Sequence, residues 1–253
     1  MSNVTFKPAD GATVTVAGIE MVSGHRYGKD GKPCYDYVLD DSTESTANSY
    51  RLAHKVYNIT FENITFTAKC YVDGSDRAET VINGFTFKGC TFNINNISSD
   101  AYQAINYRCN KGIAAVRNLV VDGCTFNSCY QGVYTQNVYG VTVKNSTFNT
   151  TQHNAIAIQH ENATFNHGAV VITNNSFNNI GDRIIRFGNV GADTQITITG
   201  NTATESGDDT TPNPQVIKAE TLAAGITYNI SGNNWGTKNG INTVVYNTEL
   251  QNR

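Results

Sequence analysis

Apolar and polar residues alternate in seven ten-residue segments that align along the chain without gaps. These segments are 57–66, 83–92, 117–126, 139–148, 168–177, 194–203 and 225–234. In each segment two apolar positions flank a position that is most often threonine, which is the period-2 pattern of a strand with one buried face. Aromatic residues such as Phe66, Phe92 and Phe126 close successive segments at intervals of about 22 to 34 residues, the spacing of a solenoid repeat.

One position near the end of every segment is Asn or Gly. The column consists of Asn63, Gly89, Gly123, Asn145, Asn174, Gly200 and Gly232. Because these two residue types enter the left-handed region most readily, we expect each coil to turn there with positive φ. The preceding column begins Glu62, Lys88, Asp122, Lys144. Its alternating charge favours parallel strands stacked in register.

A second set of apolar segments follows the turns, at 103–108, 131–136, 154–159, 183–188, 215–220 and 242–247. We expect inward side chains from Ile105, Val133, Ile156, Ile185, Ile217 and Val244. The outward column of the same strands would be Asn106, Tyr134, Ala157, Arg186, Lys218 and Val245. Together the two sets predict an all-β chain, a single-stranded right-handed parallel β-helix (solenoid) of about seven or more coils.

The repeat divides the chain into two parts. Residues 56–253 form the predicted β-helix, whereas residues 1–55 fit the pattern poorly and are interpreted as an N-terminal cap or first coil with a polar insertion. A cap is expected because the open end of a solenoid exposes unpaired strand edges.

Composition agrees with this fold and excludes some partners. The chain has 39% hydrophobic and 15% charged residues with a net charge of −3, so we expect no binding to nucleic acid. No apolar run approaches the roughly 18 residues of a membrane span, and the first ten residues do not resemble a signal sequence. The six cysteines lack zinc-site spacing, so most are expected to be free and buried.

Short motifs around the turn carry a family resemblance. Asn-Ser-Thr-Phe at 145–148 and Gly-Cys-Thr-Phe at 123–126 combine the Asn or Gly turn with the stacked aromatic position. Over about residues 56–247 the chain resembles the right-handed parallel β-helix proteins of the pectate-lyase-like superfamily. That resemblance implies one of several functions, since the superfamily includes polysaccharide lyases and hydrolases, phage tailspikes and surface adhesins.

Polysaccharide cleavage on such folds uses either calcium held by carboxylates together with a base, or a pair of acids. The weak catalytic candidates here are Arg186, Lys218, Asp208 and Asp209. Ligand-binding candidates are Tyr134, Arg108, Arg186, Lys218 and Glu220. They are chosen because a tyrosine and charged side chains are expected on one outward face of the second strands. No metal site is predicted, and a Ca²⁺ cofactor is expected only for a lyase.

Two further motifs are similar to elements of polygalacturonases. Gly207-Asp208-Asp209 and Asn166-His167-Gly168 stand in the reverse order to that family, so the first is interpreted as a loop between coils. The histidines His153, His160 and His167 are interpreted as solvent-exposed turn residues.

The leading hypothesis is a non-catalytic surface-exposed or virion-associated protein, extracellular or on a cell surface or virion, that mediates attachment to glycan. Its expected partner is a polysaccharide or surface glycan, with neither nucleic acid nor membrane insertion, and a homo-oligomer is allowed. One alternative is a carbohydrate-active enzyme, either a polysaccharide lyase or a glycoside hydrolase. Another is a phage tail fibre or tailspike component.

Overall fold

A computed structural model of the chain describes residues 1–22, 55–74, 80–99, 102–109, 115–159, 165–208 and 214–245. These residues form 25 strands, numbered here along the chain, and no helix. Nearly all of the strands belong to three parallel sheets, which we name sheet A, sheet B and sheet C.

Sheet A holds the strands of the predicted repeat, each stacked on its equivalent from the previous coil. In order they are β1 (Ser2–Phe6), β4 (Lys55–Glu62), β7 (Val81–Lys88), β10 (Ala115–Asp122), β13 (Tyr139–Lys144), β16 (Ala169–Thr173), β19 (Gln195–Thr199) and β22 (Thr227–Ser231).

Sheet B holds the short strands that follow the Asn or Gly turn. They are β2 (Val14–Val16), β5 (Ile64–Phe66), β8 (Thr91–Asn96), β11 (Thr125–Cys129), β14 (Thr147–Thr151), β17 (Ser176–Ile180) and β20 (Thr202–Thr204). The ten-residue segment of the sequence is therefore two strands joined by a turn.

Sheet C holds the second set of predicted strands and closes each coil. It contains β3 (Ile19–Val22), β6 (Cys70–Asp73), β9 (Gln103–Arg108), β12 (Gln131–Gln136), β15 (Ile156–Gln159), β18 (Ile185–Val190), β21 (Gln215–Leu222) and β25 (Val244–Val245). A small antiparallel hairpin of β23 (Thr237–Lys238) and β24 (Ile241–Asn242) precedes β25.

One strand from each sheet makes one coil, so the described residues stack as a parallel β-helix, as predicted. The eight strands of sheet A mark eight coils, which at the usual strand spacing give a rod about 38 Å tall. Residues 2–22 supply the three strands of the first coil, in parallel register with the second.

The predicted turn column has the expected backbone conformation in all seven coils where it occurs. φ lies between 53° at Asn145 and 66° at Gly200. From Asn63 to Gly200, each turn joins a strand of sheet A to a strand of sheet B, and the residue that follows it is buried. The identity of this column is thus explained by a backbone conformation that few other residue types adopt.

A continuous file of phenylalanines from sheet B runs through the core. The rings of Phe66, Phe92, Phe126, Phe148 and Phe177 are fully buried and stacked, with successive centroids 4.4 to 5.2 Å apart. Ala203 takes the next register position after Phe177. Burial of each ring both removes apolar area from water and adds an aromatic contact above and below.

Asparagines directly after the turn form a second interior file. The amide of Asn201 donates to the Ile172 carbonyl at 2.9 Å, and its oxygen accepts from the Asn175 backbone N–H at 2.9 Å. Asn175 repeats the pattern one coil away, donating to Val143 at 3.0 Å. These side chains satisfy backbone groups that the turn would otherwise leave buried and unpaired.

The charged column before the turn pairs as expected from its alternating signs. Lys88 lies 3.2 Å from Glu62, and Lys144 lies 3.2 Å from Asp122. Five cysteines are free and buried, as predicted, whereas Cys34 lies outside the described residues.

Two details of sheet C differ from the sequence prediction. Asn106 and Ala157 occupy the outward column by register, but both are buried, with 3% and 0% of their surface exposed. In the last coil Val245, not Val244, pairs with Ile217, because the register shifts within β21. Val245 therefore packs against the core instead of facing outward.

Candidate functional site

A polar cleft of about 410 Å³ opens on the outer side of sheet C, across the second to fifth coils. Its lining combines three tyrosines with amides, two cations and a histidine: Lys69, Tyr71, Gln103, Asn106, Arg108, Tyr130, Gln131, Tyr134 and His153. Two of the predicted ligand-binding residues, Tyr134 and Arg108, are thereby brought to one site. Parallel register places them there, since β6, β9 and β12 are neighbours in the sheet.

One wall of the cleft is a charged cluster around Tyr71. Its hydroxyl donates to Asp73 Oδ2 at 2.7 Å, and Arg108 donates to the same carboxylate oxygen at 3.0 Å and to the Tyr71 hydroxyl. Lys69 Nζ and the Arg108 guanidinium lie 4.8 and 4.9 Å from the ring centroid. Burial, with the Asp73 hydrogen bond, raises the pKa of Tyr71 to about 12. The Tyr71 side chain is therefore neutral and held in place by these contacts.

The floor of the cleft is Asn106, which lies between two tyrosines in one outward column. Register pairs Asn106 with Tyr71 on the coil before it and with Tyr134 on the coil after it. The Tyr134 hydroxyl donates to Gln136 Oε1 at 3.0 Å, which holds this ring in place. At the usual strand spacing the two tyrosine positions are about 10 Å apart, with the amide between them.

A hydrogen-bonded series, here called the amide relay, runs from this floor along the helix axis. It comprises Asn106, Gln103, Gln131, His153 and Asp182. Asn106 Nδ2 donates to Gln103, whose Nε2 donates to Gln131 Oε1 at 2.9 Å. Gln131 Nε2 lies 3.1 Å from His153 Nδ1, and His153 Nε2 lies 3.1 Å from Asp182 Oδ2. Asn106 Oδ1 has no hydrogen-bond partner among the described residues.

His153 is half-buried at the edge of the cleft, and is not the exposed turn histidine that the sequence suggested. Its ring stacks on Tyr130 with the centroids 5.2 Å apart. Burial lowers its pKa against the opposing effect of Asp182, and Arg186 and Arg183 lower it further. The imidazole is thus neutral at pH 7, and both of its nitrogens are engaged by Gln131 and Asp182.

The interpretation of His167 as an exposed turn residue is wrong. The side chain is fully buried, lies 3.1 Å from the Val138 carbonyl through Nδ1, and makes an edge contact with Phe165 at 5.0 Å between ring centroids. Burial lowers its pKa. His160 lies outside the described residues.

Arg186, Lys218 and Glu220 form a separate cluster farther along sheet C. Arg186 and Lys218 are paired in register, as expected, and both contact Glu220 Oε1, at 3.1 and 3.4 Å. One carboxylate thus neutralises part of the charge of two cations. None of the three residues lines the cleft.

Asp208 makes a backbone hydrogen bond and an ion pair. Its Oδ1 accepts from the Gln215 backbone N–H at 2.7 Å, and its Oδ2 lies 2.9 Å from Arg183. Arg183 in turn contacts Asp182 at 2.8 Å. These contacts join the loop to the end of the amide relay. Asp209 lies outside the described residues.

Sequence reasoning did not single out Tyr71, Asn106, Gln103, Gln131 or Asp182 for the site. Gln103 and Gln131 open their strands at equivalent positions, and that repetition was the one signal in the sequence that could have indicated an axial amide series. Across the described residues no group of three His, Cys, Asp or Glu side chains is placed to hold a metal ion. The same residues include no helix with the length and apolarity of a membrane span.

Comparisons of the chain with family models, with curated proteins and with solved structures found no match.

Proposed function

We propose that this chain is a non-catalytic β-helical protein that attaches to glycan through the cleft of sheet C. The observation that carries this proposal is the combination of tyrosine rings and side-chain amides on one concave surface. Sugar rings present apolar C–H faces, which stack on aromatic rings, and hydroxyl groups, which pair with amides and charged groups. A cleft of about 410 Å³ also falls in the usual size range for small-ligand sites.

The ionisable groups around the cleft favour binding over catalysis. His153 uses both ring nitrogens within the protein, so its accepting nitrogen is already occupied. Asp73 is held by Tyr71 and Arg108. Asp182 is held by Arg183 and by His153. A general acid or base must reach the proton it transfers, and these groups are directed at each other.

We further propose that the β-helix is right-handed and that the chain belongs to the pectate-lyase-like superfamily. We also propose that the protein is displayed outside the cell, as an adhesin on a cell surface or as a virion-associated protein, where a rod of stacked coils presents its flank to glycan. Sedimentation of the purified chain tests the tail-fibre alternative, which expects a trimer.

A glycan array of neutral and acidic oligosaccharides tests the binding function. We expect the wild-type chain to retain a subset of these glycans, and Tyr134→Ala to weaken the binding about tenfold, because one aromatic platform is removed. Tyr57→Ala is the matched control, since Tyr57 is an exposed tyrosine on sheet A, away from the cleft. Equal losses in both variants, or no binding by the wild type, would refute the proposal.

The enzyme alternative is tested on the same glycans. Release of reducing ends or unsaturated sugars, with and without added Ca²⁺, would show turnover. Dependence of that turnover on Lys218 and Arg186 would then favour the lyase or hydrolase over the binding protein.

A further inference from the structure

Asp182 is the charged end of the amide relay, and it determines which group donates and which accepts in every hydrogen bond of the relay. Asp182 is a carboxylate and only accepts, so His153 donates to it through Nε2–H. A neutral imidazole then accepts at Nδ1, and Gln131 must turn its NH₂ group toward it. The oxygen of Gln131 is left to accept from Gln103, and that of Gln103 to accept from Asn106.

The far end of the relay is an acceptor at the floor of the cleft. With its NH₂ group committed to Gln103, Asn106 is left with Oδ1, which has no partner in the described part of the chain. The side chain is 3% exposed and lies between the Tyr71 and Tyr134 positions. A buried acceptor without a partner is costly. Because Oδ1 itself has almost no exposed surface, a ligand recovers that cost only when the lining of the cleft opens enough for its donor to reach the oxygen.

We propose that Asn106 Oδ1 is the recognition acceptor of the cleft, that it pairs with a hydroxyl group of a bound sugar, and that Asp182 sets this polarity through His153. The inference rests on the proposed glycan binding and adds the chemical identity of the group that is recognised. His153 and Asp182 are positioning residues, because they act on the ligand only through the two glutamines.

This polarity determines specificity. A sugar hydroxyl donates and is accepted at the floor, whereas a carboxylate, a ring oxygen or a methoxy group at the same position carries no proton to donate. A site that is built to pair with a hydroxyl strongly disfavours analogues that lack it, because its own buried polar group is then left unpaired. The cleft should therefore distinguish a glycan from its deoxy or methylated form at one position.

The relay itself is tested without any ligand, by ¹⁵N NMR of the imidazole rings. We expect His153 at pH 7.5 to be the neutral tautomer with the proton on Nε2, identified by the signal that is missing in His153→Phe. A proton on Nδ1 would reverse the relay, since Gln131, Gln103 and Asn106 would each have to turn over. That result would overturn the proposal.

The recognised group is tested with a neutral oligosaccharide retained on the array and its set of monodeoxy analogues. For the wild type we expect one deoxy position to lower the affinity about tenfold, in line with a lost buried hydrogen bond. Asn106→Leu, which keeps the size but removes the acceptor, should bind the parent and that analogue equally. Asn127→Leu on sheet B is the control and should keep the wild-type discrimination.

The positioning role has its own readout. His153→Phe keeps an aromatic ring beside Tyr130 but cannot orient Gln131, so the ratio of parent to deoxy affinity should fall toward one. Equal weakening of both ligands, with the ratio unchanged, would mean a merely structural role and would contradict the proposal. Absence of any glycan binding by the wild type would overturn the proposed function as well, whereas binding without discrimination would overturn only the assignment to Asn106.

Discussion

Sheet B repeats nearly the same side chains in the third to sixth coils, whereas sheet C changes its outward side chains from one coil to the next. On the outer face of sheet B, Asn127 donates to Asn93 at 2.8 Å and Asn149 donates to Asn127 at 3.0 Å, so each amide pairs with an identical neighbour. On sheet C the column that contains Tyr71, Asn106 and Tyr134 places unlike groups at the same spacing.

The difference separates stability from recognition. Stacked identical amides hydrogen-bond to one another along the helix axis. Only the amides at the two ends of such a file keep a polar atom without a partner in the file. The unlike groups of the Tyr71, Asn106 and Tyr134 column form no such file of identical pairs, and Asn106 Oδ1 is left without a partner among the described residues. One backbone repeat thus supports a uniform sheet that holds the coils together and a varied sheet that can distinguish ligands.

The largest effect should come from breaking the phenylalanine file of sheet B. Phe126 is fully buried between rings at 4.7 and 4.4 Å, so Phe126→Ala should lower the free energy of unfolding by about 3–5 kcal/mol. Chemical denaturation followed by circular dichroism measures this. Phe6→Ala is the control and should cost far less, because Phe6 lies on the first coil and is 42% exposed. Similar losses at both positions would contradict a continuous core.

The interior asparagine file should give the next largest effect. Asn201→Leu keeps the volume but removes the acceptor of the buried Asn175 N–H and a donor to the Ile172 carbonyl, which should cost about 1–3 kcal/mol. Asn178→Leu removes a part-buried amide from the outer file of the same coils, where water can replace it, and should cost less. The two variants are compared by the same denaturation assay, and a larger loss at Asn178 would refute this account.

The aromatic file and the turn column were predictable from the sequence because each position repeats in successive coils, whereas the division of each ten-residue segment between sheets A and B was not predicted. The positive φ at Asn63 and Gly89 and the aromatic file through Phe92 follow from local conformational preference and period-2 burial. Seven aligned copies made a chance pattern implausible. The parallel stacking was predictable for the same reason, since opposite charges at Lys88 and Glu62 fall in one column.

The cleft was not predictable, because its chemistry lies in departures from the repeat. Tyr134 and Arg108 could be identified as outward aromatic and charged groups, but Tyr71 and Asp73, which contact Arg108, come from the preceding coil, before the first of the aligned second segments. The burial of His153 was not predictable from the sequence, because it depends on contact with Tyr130, which lies one coil earlier. Such contacts can be predicted only when the register of the strands is known. A single sequence gives that register only where its pattern repeats.

Acidification should lower the free energy of unfolding of the chain. The folded chain holds His153 and His167 at pKa values below their usual 6.5, so the unfolded chain binds more protons as the pH falls. Stability should be full above about pH 6.5 and decrease below it. The charged groups around His153 are Asp182, Arg183 and Arg186, of which only Asp182 favours protonation.

Thermal unfolding at pH 7.5 and pH 5.5 measures this dependence. In His153→Phe one titrating group is gone while the aromatic stack is kept, so the midpoint should change less between the two pH values than in the wild type. An equal or larger change in the variant would show that His153 does not contribute. Protonated His153 would also reverse the amide relay, so glycan discrimination should weaken over the same pH range.

The smallest effect is expected at the charged column of sheet A. Lys88 is 57% exposed at its side chain and contacts Glu62 at 3.2 Å, and exposed pairs of this kind contribute only a few tenths of a kcal/mol. Lys88→Ala should therefore be nearly neutral in chemical denaturation. Lys88→Glu should be somewhat worse, because it would stack three acidic groups, at Glu62, position 88 and Asp122, and added salt should remove most of that difference. A loss in Lys88→Ala as large as that in Asn201→Leu would mean that this column, and not the interior files, sets the register of the coils.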